Sequence, residues 1–489
     1  MEIKQREIKL RMSKRLGWLL GVVGLILIGL LVACGSSYNA SSDGLLLVGS
    51  QGSGLIETFS FNLNGGSVSA ISNTPEDTSN DVCVLNGIPS SLVIDPAGAY
   101  AYTIINANSA CDTVANPNLS TTGILAFKIN SDGTTSQVGS QVPFTAETVT
   151  ECLPTNPPSA SCTPTSTTEQ VAVDPGVMVM DVAGRFLFVG DRATTDTNTP
   201  PLYVPGAISV FAIGSGGSLT EVTGSPFFAN YPAIPMTLPQ AGLDIVAVAP
   251  TPTVFPAIGI NGVQNSVCST PGLPAPTSEY LYAVDGLGYQ VFEFEVNMTS
   301  GVLTPPPSMS SIPAVATDKA PIGAAVDPCN RFLYVSDSLT DKVSAYTMCN
   351  GSITQSSTCP VIPDGSLIAV AGSPFSLAGS PINPGPLVVD PYGNYVYVLG
   401  TGSNTINGLK IAPVTGALTA LSPATVATGR GPTSIVIRGD DNWLFVSNYG
   451  ASNSGGTTVS EYSVTPESGA LTALPAIQTD NYPWGLAVK

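Results

Sequence analysis

The amino-acid sequence predicts an all-β protein, a seven-bladed β-propeller of four-stranded antiparallel blades. Three observations carry that prediction. A short segment rich in aromatic and β-branched residues recurs seven times, a tight turn of the Asp-Pro-x-Gly kind precedes most copies, and a proline stands six residues ahead of those turns. Nothing between the copies repeats apolar residues with helical spacing, and regularly spaced short strands bounded by turn residues belong to all-β architectures.

The recurring segment occupies residues 45–50 (LLLVGS), 99–104 (AYAYTI), 186–191 (FLFVGD), 280–285 (YLYAVD), 332–337 (FLYVSD), 395–400 (YVYVLG) and 443–448 (WLFVSN). Each is apolar at successive positions, so both faces of the strand are expected to be buried. The turns ahead of them are Asp95-Pro96-Ala97-Gly98, Asp181-Val182-Ala183-Gly184, Asp327-Pro328-Cys329-Asn330 and Asp390-Pro391-Tyr392-Gly393, with a variant at Arg438-Gly439-Asp440-Asp441. Asp first, Pro second and Gly or Asn fourth suit a type I turn whose last residue turns left-handed, which makes these aspartates structural.

The prolines Pro89, Pro175, Pro321, Pro384 and Pro432 mark the strand before each turn, with a weaker equivalent near Pro239 and a last one, Pro483, six residues before Lys489. From Pro321 onward the spacing is 63, 48 and 51 residues, enough for four short strands, whereas the 86 residues from Pro89 to Pro175 include an insertion at 145–168. A further insertion covers residues 250–278. Third strands are expected at residues 206–213, 289–296, 342–348 and 457–464, and fourth strands after glycine turns such as Gly217-Ser218-Leu219-Thr220 and Gly416-Ala417-Leu418-Thr419. Four such strands, repeated, make a propeller blade. Residues 45–71 supply three strands and lack an inner one, while 484–489 (WGLAVK) form an inner strand with nothing after it. Joining the two completes the first blade and leaves the ring without an open edge.

The chain divides into residues 1–33, a leader; 34–44, a polar tether; and 45–489, the propeller. The leader holds six basic residues (Lys4, Arg6, Lys9, Arg11, Lys14, Arg15) against two acidic ones, then an unbroken run of apolar residues and glycine over 16–33. That is a signal peptide, with an uncleaved transmembrane anchor as the alternative because the run just reaches the spanning length. The run ends Leu31-Val32-Ala33-Cys34-Gly35, which resembles a bacterial lipobox, so lipidation is expected at Cys34 and the membrane is a partner through that anchor. In proteobacterial lipoproteins a residue other than Asp after the cysteine favours the outer membrane, and here it is Gly35.

Removing the leader's six basic and two acidic residues from the 16 and 34 of the whole chain leaves 10 against 32, a net charge of −22. Such a chain is no partner for nucleic acid, whose phosphates need clustered Lys and Arg. Setting aside Cys34, eight of the nine cysteines remain, an even number that in an exported protein reads as a disulfide framework. Proximity pairs Cys152 with Cys162, Cys349 with Cys359, Cys83 with Cys111 and Cys268 with Cys329. With no histidine and no Cys-x-x-Cys pair, neither a metal site nor another cofactor is expected.

The central-strand pattern FLYVSD, the DPxG turn and the phrase Thr-Gly-Ala-Leu-Thr at 415–419, echoed at 468–472, resemble the lactonase-type seven-bladed propellers related to 6-phosphogluconolactonase. Residues 444–449 (LFVSNY) are similar to the YVTN repeat of related surface-layer propellers. The resemblance spans roughly residues 43–489 and implies the fold, since these positions build blades. It also implies a lactonase. The histidine thought to serve a branch acting on muconate-type lactones has no counterpart here, and a Ser-His-Asp triad is excluded with it. A carboxylate base activating water, with an arginine or lysine at the oxyanion, remains open.

Propeller ligands usually sit where loops leave the central strands, which singles out Asp191, Arg192, Asp285, Asp337 and Asn448, with Tyr449 beside it. The loops entering the inner strands add Lys319, Arg430 and Trp484. The alternative is that the acids cap turns and the arginines pair at the surface. Residues 49–54 (GSQGSG) open no helix and so cradle no phosphate, while Glu293 and Glu295 are expected to be solvated on an outer strand. Two functions stay open: a monomeric cell-envelope propeller that binds a small molecule or an envelope protein, or a sugar-lactone hydrolase.

Overall fold

In the computed structural model the described residues are 43–63, 68–71, 88–107, 122–144, 147–150, 168–171, 174–192, 194–195, 203–204, 206–228, 245–250, 279–306, 313–349, 359, 365–379, 382–440, 442–451 and 454–489. They form seven antiparallel blades and, among the described residues, no helix. Blade 1 holds Asp43–Ser50, Leu55–Asn62 and Val68–Ala70; blade 2 holds Ile88–Ile94, Tyr100–Asn106, Gly123–Ile129 and Thr135–Pro143. Blade 3 runs Asp174–Met180, Phe186–Arg192, Ile208–Ile213 and Leu219–Glu221; blade 4 runs Ile245–Pro250, Glu279–Asp285, Gln290–Val296 and Leu303–Thr304. Blades 5, 6 and 7 begin with the inner strands Pro321–Val326, Pro384–Val389 and Pro432–Ile437 and continue through Phe332–Asp337, Tyr395–Gly400 and Trp443–Ala451.

Pro483–Val488 is the inner strand of blade 1, pairing Leu46 with Val488 and Val48 with Leu486. Lys489 N donates to Leu45 O at 2.8 Å, so the two ends of the propeller are sewn together as the sequence predicts. The first strand begins at Asp43, two residues ahead of the expected start.

The central residues of the strand next to each inner strand are buried because that strand packs on both neighbouring blades. Seven apolar clusters fill the spaces between successive blades; Tyr397 and Leu399 of blade 6, for example, meet Leu444 and Tyr462 of blade 7. The turn aspartates have the structural role expected of them. Asp327 Oδ1 accepts the backbone N–H groups of Arg331 and Phe332, and Asp390 Oδ1 those of Asn394 and Tyr395, both at 2.6 Å. Asn330 and Gly393 close these turns with positive φ. Arg331, almost wholly buried, pairs with Asp327 and donates onward to Gly393 O and Pro413 O, tying blade 5 to blade 6.

Three details depart from the sequence expectation. In blade 2 the aspartate turn is followed by Tyr100 rather than Ala99 at the first central position, since Asp95 accepts from Tyr100 N as Asp181 does from Phe186 N. In blade 4 the register position held by proline elsewhere is Ile245, opposite Asp285, and not Pro239, which lies outside the described residues. Glu293 is buried and accepts Leu367 N at 3.0 Å, so it is not a solvated acid; Glu295 is half-buried.

Cys349 and Cys359 are joined as expected, and Cys329 is also disulfide-bonded. Cys34, Cys83, Cys111, Cys152, Cys162 and Cys268 lie outside the described residues.

Candidate functional site

Where the inner strands converge they leave an axial channel of about 630 Å3. The strands can approach because small residues follow the marker proline: a Cβ on Gly485 would stand 2.0 Å from Ser90 O, and one on Gly323 would stand 3.1 Å from Gly385 O. Hydroxyls lace neighbouring strands together. Ser336 Oγ donates to Gly385 O at 2.7 Å, and Ser447 Oγ donates to Trp484 O at 2.8 Å while accepting Ser434 N at 3.0 Å. Among the described residues lining the channel no side chain is charged; apart from Met178 and the aromatic Tyr449 and Trp484, the walls are aliphatic, hydroxyl and backbone.

At one end the channel opens between the ends of the second strands and the starts of the inner ones. On its rim Tyr449, Tyr482 and Trp484 meet, with Tyr449 packed against Tyr482 at 4.9 Å and edge-on against Trp484 at 5.2 Å between ring centroids. Tyr449 and Trp484 line the cavity, and Trp484 is 37% exposed. Tyr482 holds φ of 59°, a left-handed conformation costly for a bulky residue, at the pre-proline position that Ala320, Asn383 and Gly431 fill in blades 5 to 7. Its ring lies on Gly455, where a Cβ would come within 2.9 Å. Rigid aromatic faces beside an apolar cavity are what a ring-shaped ligand needs. Sequence reasoning named Tyr449 and Trp484 separately and missed Tyr482. The available signal was the tripeptide Tyr-Pro-Trp, with aromatic residues on both sides of a marker proline that no other blade flanks with a ring.

The acids singled out from sequence sit at the same end but one layer out. Asp191, Asp337 and Asn448 occupy one register position, opposite Pro175, Pro321 and Pro432, and Asp285 lies opposite Ile245. All four are buried, and each bonds to the polar groups beside it. Asp191 Oδ2 accepts Ser209 Oγ at 2.8 Å, Asp337 Oδ2 accepts Ser344 Oγ at 2.7 Å and Ser344 N at 3.0 Å, and Asp285 Oδ1 accepts Leu287 N at 3.0 Å. Asn448 Nδ2 donates to Thr458 Oγ1 and Ser460 Oγ. Blade 1 exchanges the partners: Ser50 stands at the acid's position and donates at 2.5 Å to Glu57 at the serine's. Burial pushes both Asp337 and Glu57 up to about 7, with Asp318 and Asp480 adding repulsion.

Arg192 is exposed and its Cγ and Cδ lie 3.0 Å from the place a Cβ would take on channel-lining Gly176. Arg430 is exposed on the rim, its carbonyl accepting Gly450 N at 2.9 Å. Lys319 is exposed too, its N–H bonded to Asp318. The mouth thus gathers three aromatic rings and basic residues around an uncharged channel, with the carboxylates set behind it.

No protein-family model matches the sequence, and no curated protein does. Solved structures do. A putative 6-phosphogluconolactonase from Bacteroides fragilis aligns at 16% identity with TM-score 0.59, covering 92% of this chain and 99% of its own. A periplasmic gluconolactonase from Pseudomonas aeruginosa aligns at 17% identity with TM-score 0.57, covering 91% and 99%. A protein from Lactobacillus plantarum aligns at 13% identity with TM-score 0.58, over 91% and 99%. At such identities the likeness establishes the seven-bladed fold.

Proposed function

We propose that this chain is an exported propeller, tethered through lipidated Cys34 to the cell envelope, and to the outer membrane where the cell has one. It works as a monomer that holds a ligand in the channel mouth. The observation that carries this reading is the pairing of an uncharged channel with the Tyr449, Tyr482 and Trp484 rim. An uncharged ring with an apolar face, such as a neutral saccharide or the exposed edge of an envelope glycan, suits those walls, because stacking on Trp484 buries apolar area without desolvating a charge.

Hydrolysis of sugar lactones is the second reading. The names of two structural neighbours support it, as does Asp337, whose carboxyl at about 7 suits a general base near neutral pH. Asp337 is nonetheless fully buried, with one oxygen engaged by Ser344, and it does not line the channel. That placement favours binding over turnover. The test is the purified protein against glucono-1,5-lactone and a panel of sugar lactones. Absence of hydrolysis above buffer is expected. Turnover that disappears in Arg430→Ala or Arg192→Ala would replace binding with catalysis.

A further inference from the structure

We infer that the face opposite the channel mouth lies against the anchoring membrane and that the mouth points away from it. This rests on lipidation of Cys34 and would fall with it. The first described residue, Asp43, pairs with Asn62 at the end of blade 1 remote from the mouth, beside Lys489 and Gly98. Ser50, at the other end of the same strand, lies with the mouth; its neighbour Gln51 donates to Tyr482 O at 2.9 Å. An eight-residue strand separates these ends by about 25 Å. The stretch from Cys34 to Asp43 is long enough to span at most about 30 Å. Turning the mouth to the bilayer would require the tether to run stretched along the whole height of the blade.

The tether face also carries exposed cations that an anionic surface would hold. Lys128 pairs with Tyr100 and Lys410 with Tyr395 at the tether end, where Lys489 also lies. All three are exposed and, among the described residues, none is in an ion pair, although Lys489 Nζ donates to Gly98 O at 3.1 Å and Asp132 and Glu467 share that face. At the mouth Lys342 is tied to Asp318 while Lys319, Arg192 and Arg430 are exposed, so the place where the tether joins the blade, and not a charge difference between the faces, sets the orientation. Lysines held within a Debye length of an anionic lipid surface are attracted to it. The partner of the tether face is therefore the anionic headgroup layer, and the mouth's apolar rim stays free for a ligand.

The experiment is lysine acetylation read by mass spectrometry on the full-length lipidated protein. The protein is compared in phosphatidylethanolamine–phosphatidylglycerol vesicles at about 3:1 and in detergent. Acetylation of Lys128, Lys410 and Lys489 should slow several-fold on vesicles while Lys319 keeps its detergent rate. Protection of Lys319 with the other three unchanged, or no difference at any lysine on vesicle-bound protein, overturns the orientation. Failure of the anchor is read separately: Cys34→Ala should abolish vesicle retention, and retention without lipid mass on Cys34 overturns the lipidation reading and this inference together.

Discussion

Glu461 offers the sharpest energetic test of the blade packing. It sits on the third strand of blade 7, opposite Phe445 and on the same face as Val459, which packs against Leu46 and Phe61 of blade 1. The residue is 1% exposed and, among the described residues, Oε1 has no hydrogen-bond partner. Burial raises its carboxyl from 4.5 to about 7. Between those values the folded state holds a proton that the unfolded chain has lost, so stability must fall as pH rises from about 4.5 to about 7 and level off above. A shift of this size has an upper bound of about 3 kcal/mol, of which roughly 2 kcal/mol falls between pH 5 and pH 8 because the unfolded carboxyl is already largely ionised at pH 5. Glu461→Gln keeps the shape and removes the titration. Urea unfolding at pH 5 and pH 8 should show the wild type losing about 2 kcal/mol more than the variant on going from acid to alkaline conditions. The double difference cancels any constant cost of burying the amide. Equal pH dependence in both proteins would refute the assignment of Glu461 as an uncompensated buried carboxyl.

Other perturbations test other contacts. Removing residues 484–489 takes away the strand that closes blade 1 along with the burial of Leu486 and Ala487; a loss of roughly 5 kcal/mol or more is expected, and an unchanged melting temperature would contradict closure. Arg331→Ala leaves Asp327 buried without its cation, which should cost about 3–5 kcal/mol in a denaturation experiment. Gly485→Ala places a methyl 2.0 Å from Ser90 O; the expected loss is about 1–3 kcal/mol by the same measurement, from forcing apart two inner strands.

The blades were legible because their determinants are local. Phe332 to Asp337 and Tyr395 to Gly400 announce buried strands by composition alone, and Asp327 and Asp390 announce their turns. Closure was legible too, because an incomplete first blade and an unpaired last strand imply one another. What escaped depends on contacts across the ring. Blade 4 carries Ile245 where the other inner strands carry proline, so its start could not be read from spacing. The burial of Glu293 is decided by Leu367, 74 residues away. Tyr449 and Trp484 touch only because the last strand returns to the first blade. Asp191, Asp337 and Asn448 were found by position, but one residue type cannot reveal whether its side chain faces a channel or caps a neighbouring strand.

A ligand held in the mouth would lie against Trp484. Once the leader is removed, the tryptophans are buried Trp443 and mouth Trp484, so intrinsic fluorescence reports the site. The most direct measurement is a titration with neutral saccharides such as cellobiose and chitobiose, alongside glucono-1,5-lactone, on wild type and Trp484→Ala. A saturable change in emission is expected with a neutral saccharide, absent in the variant, with no consumption of the lactone. Lactone turnover that persists in Trp484→Ala, with no saccharide response in the wild type, would contradict binding at Trp484.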